Sequence, residues 1–252
     1  MMRRLTLAIA ALSLLSQGAA AGWYQVDNYE GTLGPNAIHL SLQTYDFGSG
    51  ITVEGSYFLE GQKVPAVVYG HSLDGKIRLC EIADDAEFDS KLIQGSATPF
   101  DTSDCPIALE IGDDGLVGTW VADGASHAIT LAKVASLDDT GDGTVVGTVI
   151  IPFWDHTSSH MFSGIYAQGD TGICMESLRL INKQTSQVDQ EISFDDNDLC
   201  AAGTVMTQIY RNVETYDDST GRAVLVSFAD GRWGYEVDYR VDPVTGLLSP
   251  AP

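Results

Sequence analysis

The stretch ITVEGSYFLEGQKVPAVVYGHSLDGKIRLCEI, residues 51–82, decides the fold. Apolar and polar residues alternate through three runs, which is the period of strands whose two faces differ. A Gly-bearing turn at residues 60–63 separates the first two runs, and Asp74-Gly75 separates the second from the third. An Asp-Gly pair between alternating runs favours a type I′ hairpin, because both central residues need positive φ. The stretch therefore predicts a three-stranded antiparallel meander.

The rest of the chain repeats this style, so we predict an all-β protein of antiparallel meanders that form a barrel or a sandwich. Residues 23–36 mix polar residues with Gly and Pro and are expected to be turn-rich, which puts the first clear strand at 38–42. The remaining strands are predicted at 107–111, 116–121, 127–134, 144–153, 161–168, 173–182, 188–194, 204–216, 223–228 and 233–241.

Residues 1–21 have the pattern of a secretory signal peptide. Arg3 and Arg4 precede an apolar core at residues 5–15, and Ala19-Ala20-Ala21 offers a cleavage site before Gly22. The core is too short to span a bilayer comfortably, and no later segment is long and apolar enough to do so. We therefore expect a periplasmic or secreted protein that is not inserted in a membrane.

The most polar mid-chain stretch is ASLDDTGDG at residues 135–143, and it is the best boundary in the sequence. It divides the mature chain into a first β-meander half, residues 22–136, and a second, residues 137–252. Either these are two similar halves or the chain forms one continuous domain.

The mature region contains Cys80, Cys105, Cys174 and Cys200. An even number of cysteines in an exported chain implies disulfides, and three connectivities are open. We favour the local pairs Cys80–Cys105 and Cys174–Cys200. Each would close a loop of about 25 residues, worth ~3 kcal/mol in the chain-entropy model.

The chain is strongly acidic. Its formal charge is −22, and removal of Arg3 and Arg4 with the leader lowers it by two to −24. Such a charge favours solubility and repels nucleic acid and anionic lipid. Nucleic acid is therefore not expected among its partners.

A recurring strand pattern links the first half to other proteins. Residues 51–131 resemble uncharacterised exported bacterial β-proteins in which a G-x-Y strand, a Gly turn, a Leu-ended strand and a G-x-W strand recur. The resemblance implies an exported β-meander and brings no catalytic residues. It is carried by Gly55-Ser56-Tyr57, Gly61, Leu79 and Gly118-Thr119-Trp120.

The sequence around Ser72 is close to the GHSLGG nucleophile elbow of α/β-hydrolases, in which the Ser lies on a strained strand-to-helix turn. Here Asp74 stands where the second Gly is needed, and residues 76–79 alternate like a strand. The pattern favours an Asp-Gly hairpin over a catalytic Ser72.

Two patterns suggest metal ligands. Residues 138–143 partly match a calcium loop, with Asp138 and Asp142 as candidate ligands. Two positions depart from that motif: Thr140, and Val149 in place of the final Glu of the loop. His156 and His160 have the i,i+4 spacing of zinc-binding histidines on a helix, although the intervening residues read as a loop. The sequence predicts no cofactor, with Ca²⁺ as the one alternative.

Trp233 and Tyr235 are the candidate residues of a ligand-binding face, because closely spaced aromatic side chains can pack against sugars and proteins. With no coherent catalytic constellation, the sequence favours an exported, acidic, disulfide-stabilised module that binds a protein or a carbohydrate. The alternative is a secreted hydrolase whose carboxylates or histidines are assembled by the fold.

Overall fold

The structure is a computed structural model. It describes residues 24–45, 52–82, 86–87, 90, 101–138, 146–169, 172–194, 204–205, 209–230 and 233–251. The described chain is built from antiparallel strands, and the predicted all-β fold is confirmed.

The first eight strands form a closed antiparallel barrel. Each pairs with the next along the chain, and the eighth pairs back with the first. Closure leaves no unpaired edge in this sheet. The strands are β1 (Tyr24–Leu33), β2 (Asn36–Tyr45), β3 (Val53–Leu59), β4 (Ala66–Leu73), β5 (Lys76–Ile82), β6 (Ile107–Ile111), β7 (Gly115–Ala122) and β8 (Ala125–Asp138).

The predicted meander is confirmed as β3, β4 and β5, which pair in that order. Asp74 has φ 50° and Gly75 has φ 75°, as a type I′ hairpin requires. The same chemistry turns β7 into β8, where Asp123 has φ 51° and Gly124 has φ 75°. Local turn residues therefore set the register of both hairpins.

The expectation of a turn-rich segment at residues 23–36 is wrong, because most of it is β1. Gln25 and Asp27 are polar and lie on the inner side of the strand near one end of the barrel, while Val26 faces the second sheet. In this part of β1 polar side chains face the barrel interior and an apolar side chain faces outward. The usual rule that apolar residues face inward therefore does not identify the strand.

The second half forms a nine-stranded sheet rather than a second barrel. Strands β9 to β12 make one antiparallel group and β14 to β17 another, and the two-residue β13 joins β11 to β15. The elements are β9 (Val149–His156), β10 (His160–Gly169), β11 (Gly172–Asn182), β12 (Val188–Ser193), β13 (Thr204–Val205), the 3-10 turn η1 (Ile209–Arg211), β14 (Val213–Asp218), β15 (Gly221–Asp230), β16 (Trp233–Val241) and β17 (Leu248–Pro250).

Apolar side chains fill the middle of the barrel. They leave a space of about 10 Å³ among Leu40, Leu79, Leu109 and their neighbours, which is too small for a ligand. An eight-stranded barrel is just wide enough for its interior to be packed in this way. A ligand therefore cannot occupy the middle of the barrel interior.

The outer face of β1 to β4 packs against the second sheet, and we call this contact the seam. Trp154 Nε1 donates to the Gly55 carbonyl at 3.0 Å, and the hydroxyls of Ser41 and Tyr210 are 2.8 Å apart. One apolar core joins the two parts. Its members include Val26, Tyr69, Ala135 and Leu137 from the barrel and Ile151, Phe153, Phe162, Tyr166 and Val226 from the sheet.

β8 runs through residue 137 to Asp138, so the last barrel strand crosses the predicted boundary. The division of the chain into two domains stays a prediction. Among the residues that the structure describes, no helix is long and apolar enough to cross a membrane.

The predicted disulfide between Cys80 and Cys105 is present, with 4.4 Å between the Cα atoms. It ties β5 to the residues just before β6 and so closes the base of the long β5–β6 connection. Cys174 is also disulfide-bonded, whereas Cys200 lies outside the described residues. The Cys174–Cys200 pairing stays a prediction.

Candidate functional site at the barrel mouth

One end of the barrel opens into a cleft of about 630 Å³, which we call the barrel mouth. The start of β1, the end of β2, the β4–β5 and β6–β7 hairpins and the end of β8 surround it. Polar groups line its walls, and the packed barrel interior closes its floor. The wall residues include Gln25, Asp27, Tyr29, Thr44, Ser72 and Lys133, and the floor includes Leu42 and Ile77.

The carboxylate of Asp27 is the centre of this site. Its Oδ1 accepts from Ser136 Oγ at 2.7 Å and Gln25 Nε2 at 3.1 Å. Its Oδ2 accepts from Lys133 Nζ at 2.7 Å and the Tyr29 hydroxyl at 3.1 Å. These four bonds fill the acceptor capacity of a carboxylate. Asp27 therefore organises its neighbours and has no lone pair left to act as a nucleophile or base.

A β-bulge explains how two residues of β8 reach Asp27. The register between β1 and β8 skips Val134, so the side-chain alternation of β8 reverses beyond this point. Lys133 before the bulge and Ser136 after it both bond to Asp27, while Leu137 turns out into the seam core. Without the extra residue, Ser136 and Leu137 would exchange faces.

Tyr29 and Lys133 supply hydrogen-bond donors to the polar wall. Burial raises the pKa of Tyr29, and the neighbouring Asp27 charge and hydrogen bond raise it further, so its hydroxyl remains a donor. The Lys133 ammonium lies 5.8 Å from the centre of the Tyr29 ring and pairs with Asp27. The Lys133 ammonium has three N–H donors, and one of them bonds to Asp27. The other two can bond to a ligand.

Ser72 lines the barrel mouth, but its neighbourhood is not that of a nucleophile elbow. It lies in β4 opposite Ile77, and its backbone N–H donates to Thr52 Oγ1 at 2.9 Å. His71 points to the other face of the strand, where its Nδ1 is 3.1 Å from Thr52 Oγ1. The predicted hairpin is confirmed, and adjacent strand positions keep His71 away from the Ser72 hydroxyl.

The structure describes one of the two candidate calcium ligands. Asp138 is the last residue of β8 and pairs with Gln25, whereas Asp142 lies outside the described residues. Within the described ranges, no group of three or more His, Cys, Asp or Glu residues could hold a metal ion. The calcium site stays a prediction.

The structure gives His156 and His160 separate partners. His156 pairs across the ladder with Met161, and its Nδ1 is 3.3 Å from the Trp154 carbonyl. Burial lowers the pKa of His156, and the nearby Lys183 charge lowers it further. His160 is 1% exposed, and both of its ring nitrogens have protein partners. The shared metal site stays a prediction.

Tyr235 lines a second cleft of about 510 Å³, together with Arg211, Glu214 and Phe228. Its ring stacks on Phe228 with 5.3 Å between ring centres. The backbone of Trp233 begins β16, but its side chain lies outside the described part of the chain. A ligand on this pair of aromatic residues stays a prediction.

Sequence reasoning did not identify Asp27 or its partners Lys133 and Ser136, which lie 106 and 109 residues further along the chain. One feature of the sequence could have identified Asp27. A strand that begins with polar residues at alternate positions and ends with Leu33 is typical of a wall that is wet at one end and dry at the other. Partners in β8 could be named only once β8 was known to pair with β1.

No protein-family model, curated protein or solved structure matches this chain. The fold and the cleft define a class in general terms: a closed antiparallel barrel with a packed interior and a polar mouth.

Proposed function

We propose that the protein is an exported binding module that holds a neutral carbohydrate at the barrel mouth. The observation that carries this proposal is the cleft of about 630 Å³ whose polar wall surrounds Asp27 and whose floor is apolar. Ligand sites commonly combine a concave apolar surface with a few fixed polar groups, and barrel mouths are a recurrent place for them.

The chemistry of the wall favours hydroxyl groups over ions. Lys133 offers donors, Gln25 and the hydroxyls of Ser72 and Thr44 can offer both donors and acceptors, and Tyr29 adds an aromatic ring. Asp113 and Asp114 at the rim are exposed and disfavour an anionic ligand. Lys133 disfavours a metal ion, and Asp27 is already saturated by its four donors.

Two features support the export part of the proposal. The first 21 residues have the pattern of a cleavable leader, and the Cys80–Cys105 bridge suits an oxidising compartment. N-terminal sequencing of the protein recovered from the periplasm or medium of an expressing bacterium tests this part. A start at Gly22 is expected, and a retained Met1 in a cytoplasmic fraction would contradict export.

Binding is tested by screening a glycan array and measuring each hit by calorimetry. Ser72→Trp places an indole in the mouth and should abolish binding, and Lys133→Met should weaken it by about tenfold through the loss of charged donors. Thr119→Trp is the matched control, because Thr119 is exposed on β7 outside the mouth.

The array also separates the two clefts. If Tyr235→Ala abolishes binding while Ser72→Trp leaves it intact, the ligand occupies the second cleft and the mouth assignment is wrong. If no glycan binds the wild type, the carbohydrate proposal fails.

A further inference from the structure

Three side chains in the second sheet form a hydrogen-bonded chain that has no part in the barrel mouth. The Ser159 hydroxyl is 2.9 Å from His160 Nδ1, and His160 Nε2 is 3.0 Å from Asp189 Oδ2. His160 is 1% exposed, Ser159 is half-buried, and 35% of the Asp189 side chain is exposed. The chain therefore runs from a half-buried serine through a buried imidazole to a partly exposed carboxylate.

Neighbouring elements fix each member. The turn between β9 and β10 is closed by a bond from the Thr157 N–H to the His160 carbonyl at 2.9 Å. The Lys183 N–H donates to the Ser159 carbonyl at 3.0 Å, which ties this turn to the one after β11. Asn182 Nδ2 donates to Asp189 Oδ2 at 2.8 Å and so holds the carboxylate against the imidazole.

These bonds fix the tautomer of His160. An ionised carboxylate only accepts, so His160 Nε2 must carry the proton of the bond to Asp189. The bonds from Asn182 and His160 lower the pKa of Asp189, which keeps it ionised. In the neutral imidazole Nδ1 is then an acceptor, and the Ser159 hydroxyl donates to it. A hydroxyl bonded to a base that a third group orients is the arrangement of an activated nucleophile.

Gly246 makes room for this arrangement. It has φ 72°, and a Cβ there would lie 2.5 Å from Ser159 Oγ and 2.9 Å from His160 Nδ1. The turn between β16 and β17 therefore lies directly against the pair. Ser158, the preceding residue, is exposed, and Ser159 itself is half-buried.

We propose that Ser159 is a nucleophile that accepts acyl groups from small esters, with His160 as its base and Asp189 as the group that orients the base. Ser159 Oγ bonds to the ester carbonyl carbon and its proton passes to His160 Nδ1. The bond to the alcohol breaks, and the alcohol leaves with that proton. Water then adds to the acyl carbon and passes one proton to Nδ1. The bond between Ser159 Oγ and the acyl carbon breaks, the acid leaves, and the proton on Nδ1 returns to Ser159 Oγ.

The test uses a fluorophosphonate probe on the purified protein, with mass spectrometry to locate the label. The reaction joins phosphorus to Ser159 Oγ and releases fluoride and the hydroxyl proton. We expect one label on the peptide that contains Ser159. Ser159→Ala should abolish it, and Ser158→Ala, the matched neighbour, should leave it unchanged.

The role of Asp189 has its own readout. Asp189→Asn permits the wrong tautomer and should slow labelling and p-nitrophenyl acetate hydrolysis by at least about tenfold, with an unchanged melting temperature. If that variant does not fold, Asn182→Ala loosens the same carboxylate and should slow labelling as well. Absence of a label on the wild type, a label that survives Ser159→Ala, or wild-type rates in both the Asp189 and the Asn182 variants would overturn the proposal. Because this site is separate from the mouth, these results do not depend on carbohydrate binding.

Discussion

The barrel and the second sheet bury one face of their strands in different ways. The barrel buries one face of its strands by closing on itself, and its glycines approach neighbouring backbone. The second sheet buries a face against the barrel, with an aromatic core that includes Phe153, Tyr166 and Phe228. Closure fixes the backbone, whereas face-to-face packing relies on side chains. The two parts should therefore respond differently to the same substitution.

Gly70 in the barrel and Gly164 in the sheet allow this comparison with a single added methyl group. A Cβ at Gly70 would lie 1.8 Å from the Arg78 carbonyl oxygen, which belongs to the paired strand β5. A Cβ at Gly164 would meet only side chains, with Tyr166 Cε2 nearest at 2.4 Å. Backbone held in a closed ladder cannot move aside, whereas an aromatic ring can shift.

We therefore expect Gly70→Ala to cost about 4 kcal/mol or more, or to prevent folding, and Gly164→Ala to cost about 1–3 kcal/mol. Urea unfolding followed by tryptophan fluorescence measures both. Gly61→Ala is the control, because a Cβ there has nothing within 4 Å, and it should change stability by less than about 1 kcal/mol. Equal losses at Gly70 and Gly164 would contradict the contrast between backbone and side-chain packing.

The seam contains a carboxyl group whose titration reports on contact between the two parts. Glu54 lies on the outer side of β3 and is 3% exposed. Burial raises its pKa from 4.5 to about 7, although the Arg211 charge and the Tyr45 hydroxyl both act to lower it. The folded protein thus keeps a proton that the unfolded chain releases, and this residue makes stability fall as the pH rises from 4.5 to about 7.

Glu54→Gln should remove that slope, which amounts to about 3 kcal/mol across the window. The free energy of unfolding in urea, measured from pH 4.5 to 8, gives the difference between variant and wild type at each pH. The variant should gain relative to the wild type as the pH rises and level off above pH 7. Glu110→Gln, at an exposed glutamate of β6, is the control and should follow the wild type. Parallel curves for wild type and Glu54→Gln would show that Glu54 ionises without cost in the seam.

The smallest expected effect concerns one hydrogen bond across the seam. Tyr210→Phe removes the hydroxyl that lies 2.8 Å from Ser41 Oγ, and both residues are fully buried. The unpaired Ser41 hydroxyl should cost about 1–2 kcal/mol, and adding Ser41→Ala should recover part of it. A double-mutant cycle in urea measures this coupling. A coupling energy of zero would mean that this hydrogen bond adds nothing to the stability of the seam.

Asp27 and His160 show where prediction from the sequence ended. Asp27 looked like a polar residue in a turn-rich segment, because the sequence does not say that β1 meets β8. His160 was assigned to a metal with His156, because spacing along the chain was the only geometry available. The structure bonds its ring to the adjacent Ser159 and to Asp189, which is 29 residues further on. In both cases the missing information was a contact between strands.

The sequence alone determined the strand period and the Asp-Gly hairpin at residues 74–75, and it favoured the Cys80–Cys105 bridge among three connectivities. These features depend on residues close in the chain, whose conformational preferences act locally. Tertiary structure decided the rest. Ring closure and the bulge at Val134 place Lys133 and Ser136 beside Asp27, and packing of three turns aligns Ser159 with His160 and Asp189. Such sites arise from distant segments, because only a shared core can hold those segments in register.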